Sequence, residues 1–315
     1  MATPEYIKSL IRSHSSKEPE RFYTIALQLA AHEARQGHQV LAQEIRQIVE
    51  AERKKNASNV IPFPVDLKGM IQQVFPDDRK NTLILPNELL QRIEQVIHEY
   101  LQRDKLKSHG LIHRKKLLLL GPPGTGKTMT ARVLAKELDL PLHIVQVDRL
   151  MTRYMGETSA KLRQIFDLMQ TQPGVYLFDE FDAIGGNRAS DSDVGEMRRV
   201  VSAFLQFIEN EDSDNLILGA SNNQKLLDPA MFRRFDDILS YNIPTGEEAK
   251  RLISDTLNIY MAPNFAWKTV LSKAIGLSHA DIVMACKDAL KSAILADVNL
   301  IKPTDLIRFL TQRQK

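Results

Sequence analysis

The chain has 315 residues, 43% hydrophobic and 26% charged, an ordinary balance for a folded protein with room for two or three domains. Its 42 basic and 39 acidic residues leave a net charge of +3, too little for the basic footprint of a nucleic-acid binder or for a polybasic membrane patch. The single cysteine, Cys286, excludes an intrachain disulfide framework and a cysteine-built zinc site. The start MATPEYIKSL has no apolar signal core and no run approaches the length of a membrane span, so a reducing, cytoplasmic setting without a membrane span is expected.

Residues 1–53 read as a small helical bundle. Thr3-Pro4 opens a first helix carrying Tyr6, Ile7, Leu10 and Ile11 at helical spacing, and Ser13 to Pro19 is a loop. Phe22, Ile25, Ala26 and Leu29 mark a second helix that Gly37 ends, and Leu41, Ile45, Ile48 and Val49 mark a third. Such a unit is either a docking module for a protein client or partner, or a packing and oligomerisation appendage. Residues 54–66, with Lys54-Lys55, Pro62 and Pro64, predict an extended linker. Residues 67–86 carry only a turn signal at Pro76-Asp77-Asp78. Pro86-Asn87 then opens a strong amphipathic helix through Leu89, Ile93, Val96, Ile97 and Tyr100.

From residue 115 onward helical and strand patterns alternate. Strands are predicted at 117–120, 143–147, 175–179, 216–220 and 238–241, with helices at about 127–138, 158–170 and 194–210 between them. This alternation predicts a five-stranded parallel α/β sheet over residues 67–243, with ligands at the carboxyl ends of its strands. Beyond Pro244 the pattern is wholly helical, at 246–260, 266–275, 279–296 and 303–312, which predicts a lid over residues 244–315 with Trp267 and Cys286 in its core.

Two elements at the strand ends carry chemistry. Gly121 to Thr128 reads GPPGTGKT between the Leu117–Leu120 strand and a helix. Gly121, Gly124 and Gly126 let the backbone turn its N–H groups inward at phosphate oxygens, and the helix N-terminus adds positive potential there. Lys127 reaches the β and γ phosphates, and the Thr128 hydroxyl helps hold Mg²⁺. The apolar run Val175–Phe178 ends in Asp179-Glu180-Phe181-Asp182. Asp179 suits a metal held partly through its water shell, and Glu180 suits a general base for the attacking water. The expected cofactors are ATP and Mg²⁺.

These motifs, with VYLFDEFDAIGGNR and LGASNNQKLLDPAMFRRFD, resemble the AAA subgroup of AAA+ ATPases over about residues 67–312, closest in flavour to the katanin- and spastin-like remodellers. The resemblance implies nucleotide contacts along Gly121, Pro122, Pro123, Gly124, Thr125, Gly126, Lys127, Thr128 and Met129. It implies a γ-phosphate sensor at Asn222, with Asn223 one residue away and Ser221 where threonine is usual. It implies arginine fingers at Arg233 and Arg234 that reach a neighbouring subunit's nucleotide, without saying which dominates. His279 stands where glycine is common, as either a base or ribose contact or a surface residue at a helix start. Arg153, Tyr154 and Met155 before Gly156-Glu157 resemble the loop that grips polypeptide in a ring pore, and Gly185 to Asp193 resembles a second pore loop. Arg198 and Arg199 are either subunit contacts or a solvated helix face.

The implied function is an ATP-driven protein-remodelling motor, a homo-oligomer and by family habit a hexamer. The alternatives are an ATPase subunit feeding a separate peptidase and a nucleotide-dependent scaffold. His32-Glu33 and His98-Glu99 open the zinc-peptidase pattern H-E-x-x-H, but Gln36 and Gln102 occupy the place of its second histidine, so any peptidase is a separate subunit.

Overall fold

The computed structural model describes residues 8–9, 13, 19–35, 38–57, 67, 69–150, 155–182, 191–263 and 265–314, and the chain divides into two compact units, Met1–Phe63 and Pro64–Lys315. The predicted first helix, Gly37, and the stretch 58–66 lie largely or wholly outside the described residues.

In the first unit α1 (Pro19–Arg35) and α2 (Gln39–Ala57) pack on one another through Tyr23, Ala26 and Val49, flanked by Phe22, Leu27 and Ile45. The turn between them is closed twice by the same residues. The His38 N–H donates to the Glu33 carbonyl at 3.0 Å, and His38 Nδ1 lies 2.7 Å from the buried Glu33 carboxylate. Helix α2 runs on to Ala57, through the stretch expected to be extended from Lys54. Lys54, Lys55 and Asn56 are tolerated in a helix, and the breaking prolines come only at Pro62 and Pro64.

The second unit is built on one sheet. Its strands are β1 (Ile71–Val74), β2 (Lys116–Leu120), β3 (Leu142–Gln146), β4 (Val175–Asp179), β5 (Leu216–Ser221) and β6 (Asp237–Ser240), in the spatial order β1-β3-β4-β5-β2-β6. All neighbours pair in parallel except β1, which runs antiparallel on the edge of β3. The sheet is therefore six-stranded and mostly parallel, with one strand more than the sequence pattern predicted. β1, reading IQQV, has only Ile71 buried and joins through its backbone.

Helices cover both faces. On one side lie α3 (Asn87–Leu101) and α5 (Lys127–Glu137), whose Ile93, Val96, Val133 and Leu134 meet Leu117 and Leu119. A short α4 (Arg103–Ser108) follows α3, and α6 (Val147–Leu150) follows β3, starting at the residue expected to end that strand. On the other side α7 (Met155–Met169) and α8 (Asp191–Asn210) bring Phe166 and Phe204 onto Phe178 and Phe181, with Phe181 and Phe204 centroids 4.8 Å apart. Burial on both faces explains why β2 is four leucines in a row rather than an alternating strand. Each such leucine contributes about 1.5–3 kcal/mol through burial.

Past β5 a four-residue helix, α9 (Pro229–Phe232), leads to β6. The lid follows as α10 (Gly246–Leu257), α11 (Trp267–Ala274), α12 (His279–Leu295) and α13 (Pro303–Arg313), packed around one core. Cys286 is fully buried there, and Trp267 is half-buried against Phe265. Capping boxes open α10 at Thr245/Glu248 and α12 at Ser278/Asp281. The core also takes in Ile84, from the segment before α3, so the lid is anchored beside the sheet's carboxyl rim. Among the described residues no helix is long and apolar enough to cross a membrane.

Candidate active site

Parallel register brings the carboxyl ends of three strands to one rim. Leu120 of β2 sits opposite Ser221 of β5, and Phe178 of β4 opposite Gly219, so Gly121, Asp179 and Asn222 leave the sheet side by side. The strand order reverses here, since β2 lies between β5 and β6 while β3 lies beyond β4.

The glycines of the loop have separate jobs. A Cβ on Gly121 would come within 2.2 Å of the Tyr241 carbonyl oxygen, so the chain passes that backbone only without a side chain. Gly124 and Gly126 hold left-handed φ angles of +74° and +104°, and Gly126 caps α5. The first turn of α5 is pinned where Tyr241 Oη donates to Thr130 Oγ1 at 2.9 Å. Thr125 is buried, and its hydroxyl donates to the Pro122 carbonyl at 2.8 Å.

Lys127 is only 7% exposed. Its Nζ donates to the carbonyls of Gly121 at 2.6 Å and Pro122 at 2.9 Å, and to Asn222 Oδ1 at 2.8 Å. Burial pushes its pKa down, while the charges of Asp179 and Asp182 pull it back up. A buried ammonium whose three partners are all neutral is short of negative charge, and that is the deficit a nucleotide phosphate fills. Of the two asparagines, Asn222 makes this contact. Asn223 turns to its own backbone, its Oδ1 accepting from the Lys225 N–H at 3.1 Å.

Across the cavity, Thr128 Oγ1 stands 3.5 Å from Asp179 Oδ2. Asp179 Oδ1 accepts the Glu180 N–H at 3.0 Å, and the Phe181 N–H donates to the Ala220 carbonyl at 2.8 Å. Between those two bonds Glu180 adopts φ +53°, a left-handed conformation that costs a non-glycine residue roughly 1–2 kcal/mol and turns its carboxylate out to solvent at the rim. The Asn222 N–H donates to Asp182 at 3.4 Å.

These groups line a cavity of about 480 Å³, inside the range of about 300–1,000 Å³ usual for small-molecule sites. Its polar lining comes from Lys127, Thr128, Asp179, Glu180 and Asn222, among others. Its aliphatic lining comes from Ile84, Leu85, Leu252 and Val283, from the segment before α3 and from the lid. Pro123, Gly124 and Met129 also line it, and Gly121 and Pro122 contribute the carbonyls that hold Lys127. Lid and loop are joined directly, the Ala280 N–H donating to the Gly124 carbonyl at 3.0 Å.

His279 also lines the cavity, on the first turn of α12 and 8% exposed, which removes the surface alternative. Burial holds its pKa below the ordinary histidine value, against an opposing pull from the Glu248 carboxylate and the Ile84 backbone.

Arg233 and Arg234 stand outside this lining. Arg233 is exposed, whereas Arg234 is half-buried with Nη2 3.5 Å from Glu209 of α8. Arg199 is exposed. Arg153 and Tyr154, the side chains of Met155 and Arg198, and residues 183–190 lie outside the described residues. Sequence reasoning missed Thr82–Leu85, Leu252 and Val283 as cavity walls. The Leu83-Ile84-Leu85 run ahead of Pro86 was the signal available for the first of them.

Residues 117–242 match the ATPase family associated with various cellular activities, AAA. The chain is 32% identical to the AAA family ATPase y4kL of Sinorhizobium fredii over 98% of its own length and 95% of that protein. It is 36% identical to the peroxisomal ATPase pex6 of Schizosaccharomyces pombe over 64% of this chain and 22% of the relative. It is 28% identical to the proteasome-activating nucleotidase of Methanopyrus kandleri over 79% of this chain and 60% of the relative. The chain thus spans less than two thirds of the last two proteins but nearly all of the rhizobial one. Because that match runs almost end to end and takes in both the phosphate loop and the lid that closes over it, the chain belongs to the AAA family and is an ATP hydrolase.

Proposed function

We propose that this ATPase is a protein-remodelling motor that works as a homo-oligomeric ring, a hexamer by family habit, and draws polypeptide through its pore. The observation that carries the nucleotide half of the reading is the buried Lys127 held only by neutral groups, one of them Asn222. An incoming γ-phosphate competes for that ammonium, so occupancy is felt at Asn222 and along the chain that leads from β5 to Arg233. Asn222 then orients the attacking water with its amide, and Glu180, exposed at the rim, accepts the water's proton. Thr128 and Asp179 provide two oxygen donors, which suits Mg²⁺, an ion that fills its remaining positions with phosphate and water and offsets phosphate charge.

Completion of the site falls to a neighbouring subunit. Arg233 is exposed and Arg234 is engaged by Glu209, which supports Arg233 as the guanidinium that crosses and Arg234 as its tethered companion. A guanidinium delivered in trans is worth on the order of 10³–10⁵ in rate. In this division of labour residues 67–243 bind nucleotide, 244–315 form the lid, the Arg153, Tyr154 and Met155 loop grips the client, and residues 1–53 choose it. The names of the relatives support protein work: one is a peroxisomal ATPase and another a proteasome-activating nucleotidase. The second name also favours a variant of the same reading in which a separate peptidase receives the client.

The test is the Glu180→Gln variant. It retains ATP, loses turnover and holds client protein that mass spectrometry identifies. Hydrolysis at the parental rate would remove Glu180 as the base, and a stalled enzyme that captures nothing would remove the remodelling reading.

A further inference from the structure

We propose that Phe235 is a positioning residue that ties the arginine segment of a subunit to that same subunit's Glu180, so that the nucleotide held next door is felt at the subunit's own base. The inference rests on the reading of Arg233 as the guanidinium that crosses to a neighbour, and it adds the contact through which that crossing acts at home.

The segment carrying Arg233 is fixed at both ends. Upstream, the Asp228 carboxylate caps α9 by accepting the Ala230 N–H at 2.8 Å. Downstream, Asp236 is clamped to the start of β2. Its carboxylate accepts the N–H groups of Lys115 and Lys116, both at 2.9 Å, and its own N–H donates to the Lys116 carbonyl at 2.7 Å. Between Arg233 and that clamp stand the half-buried Arg234, turned to Glu209 of α8, and the buried Phe235, only 7% exposed.

The Phe235 ring meets Phe181 edge-on, with centroids 6.0 Å apart and planes at 87°. Gly219 of β5 makes room for this contact. A Cβ there would lie 3.2 Å from Phe235 Cζ and 3.5 Å from Phe181 Cδ1. Phe181 is fully buried, packs at 4.8 Å on Phe204 of α8, and follows Glu180 directly in the chain. Glu180 holds its left-handed φ of +53° between the bond to Asp179 and the bond from the Phe181 N–H to the Ala220 carbonyl. Close-packed interiors pass displacement on rather than absorb it. A pull on Arg233 by a neighbour's γ-phosphate therefore reaches Glu180 across one ring contact, and a strained backbone is the part that yields. Both residues that follow Arg233 bear on the same helix, Arg234 through Glu209 and Phe235 through Phe181 and Phe204.

The experiment dopes oligomers of the full chain with increasing fractions of Glu180→Gln subunits, which keep ATP and keep Arg233, and measures steady-state ATPase activity at each fraction. In the parent background the activity departs from proportionality to the fraction of intact subunits, because each blocked subunit also alters the neighbour whose Arg233 it holds. In a Phe235→Leu background the plot is a straight line, while ATP affinity measured by calorimetry stays within about twofold of the parent. Phe235→Met, which also removes the ring, carries the test should the leucine variant fail to fold. A straight line in the parent, or the same curvature with leucine or methionine at position 235, would overturn the proposal. So would a loss of ATP affinity of more than about tenfold in either variant, since the ring would then serve the nucleotide cavity itself. Arg233→Ala turning over ATP at the parental rate would instead remove the crossing guanidinium on which the inference stands.

Discussion

Gly124 is where the phosphate loop touches the lid, and replacing it by alanine tests whether that contact governs ATP binding. Two costs add at this position. With φ at +74°, any side chain forces a left-handed conformation worth roughly 1–2 kcal/mol. The new Cβ would also lie 2.5 Å from Ser278 Oγ, 3.0 Å from Ser278 Cβ and 3.1 Å from Ala280 Cβ. Ser278 cannot swing away freely, because its hydroxyl donates to Asp281 at 2.6 Å and accepts the Asp281 N–H at 3.2 Å in the cap of α12. Overpacking of this kind costs about 1–3 kcal/mol, so the total is about 2–5 kcal/mol, expressed at the seam between loop and lid. Gly276→Ala is the control. It has a similar φ of +83° but nothing within 4 Å of its Cβ, so it carries the strain without the clash. Urea titration should show both variants destabilised. Calorimetry should show ATP binding weakened by on the order of 30-fold or more in Gly124→Ala and nearly unchanged in Gly276→Ala. Parental ATP affinity in Gly124→Ala would refute the coupling of loop and lid.

Two further predictions concern the scaffold. His143 is fully buried and stacked on Tyr176 with centroids 4.5 Å apart, and burial pushes its imidazole down to about 4. The unfolded chain takes up that proton first as pH falls, so the fold loses stability from about pH 6.5 downward, by about 2 kcal/mol at about pH 5. His143→Leu should flatten that part of the stability–pH curve in paired urea titrations, whatever its absolute effect, and an unchanged slope would count against it. Glu99 is held at about 2 by Arg114, whose Nη2 is 2.6 Å away and whose backbone N–H also donates to the carboxylate, at 3.0 Å. With the carboxyl depressed, this stabilisation is present above the ordinary carboxylate range and is lost as pH falls from about 4.5 to about 2. Arg114→Met should therefore cost on the order of 2–3 kcal/mol near neutral pH and little at the acid end, read as a pH-dependent shift in the urea midpoint.

The phosphate loop, the acidic strand end and the central strands were readable because each is a local pattern. Four leucines in a row, glycines at fixed spacing and an apolar run ending in two acids each carry their own physical reason. β1 had no such pattern, since IQQV becomes a strand only when the edge of β3 offers its backbone. The aliphatic lining of the cavity is assembled from Ile84, Leu252 and Val283, residues far apart in the chain whose apolarity is explained equally well by core packing. His279 could be read as a surface residue because its burial depends on the lid closing beside Ile84. The difference between Asn222 and Asn223 needed geometry as well, for adjacent identical side chains diverge only once β5 ends and the chain turns. The run of α2 to Ala57 shows the opposite limit, where a polar stretch without proline continues a helix that has no reason to stop.

Whether the catalytic site is shared between subunits is tested most directly by mixing two inactive variants. Lys127→Ala removes the phosphate-binding ammonium but keeps Arg233, and Arg233→Ala keeps the nucleotide cavity but removes the crossing guanidinium. Co-expressed in one oligomer, an Arg233→Ala subunit can bind ATP and receive Arg233 from a Lys127→Ala neighbour. Steady-state ATPase activity in the mixture well above the sum of the two separate variants is the predicted result. A mixture no more active than that sum would show that the arginine acts within its own chain or not at all.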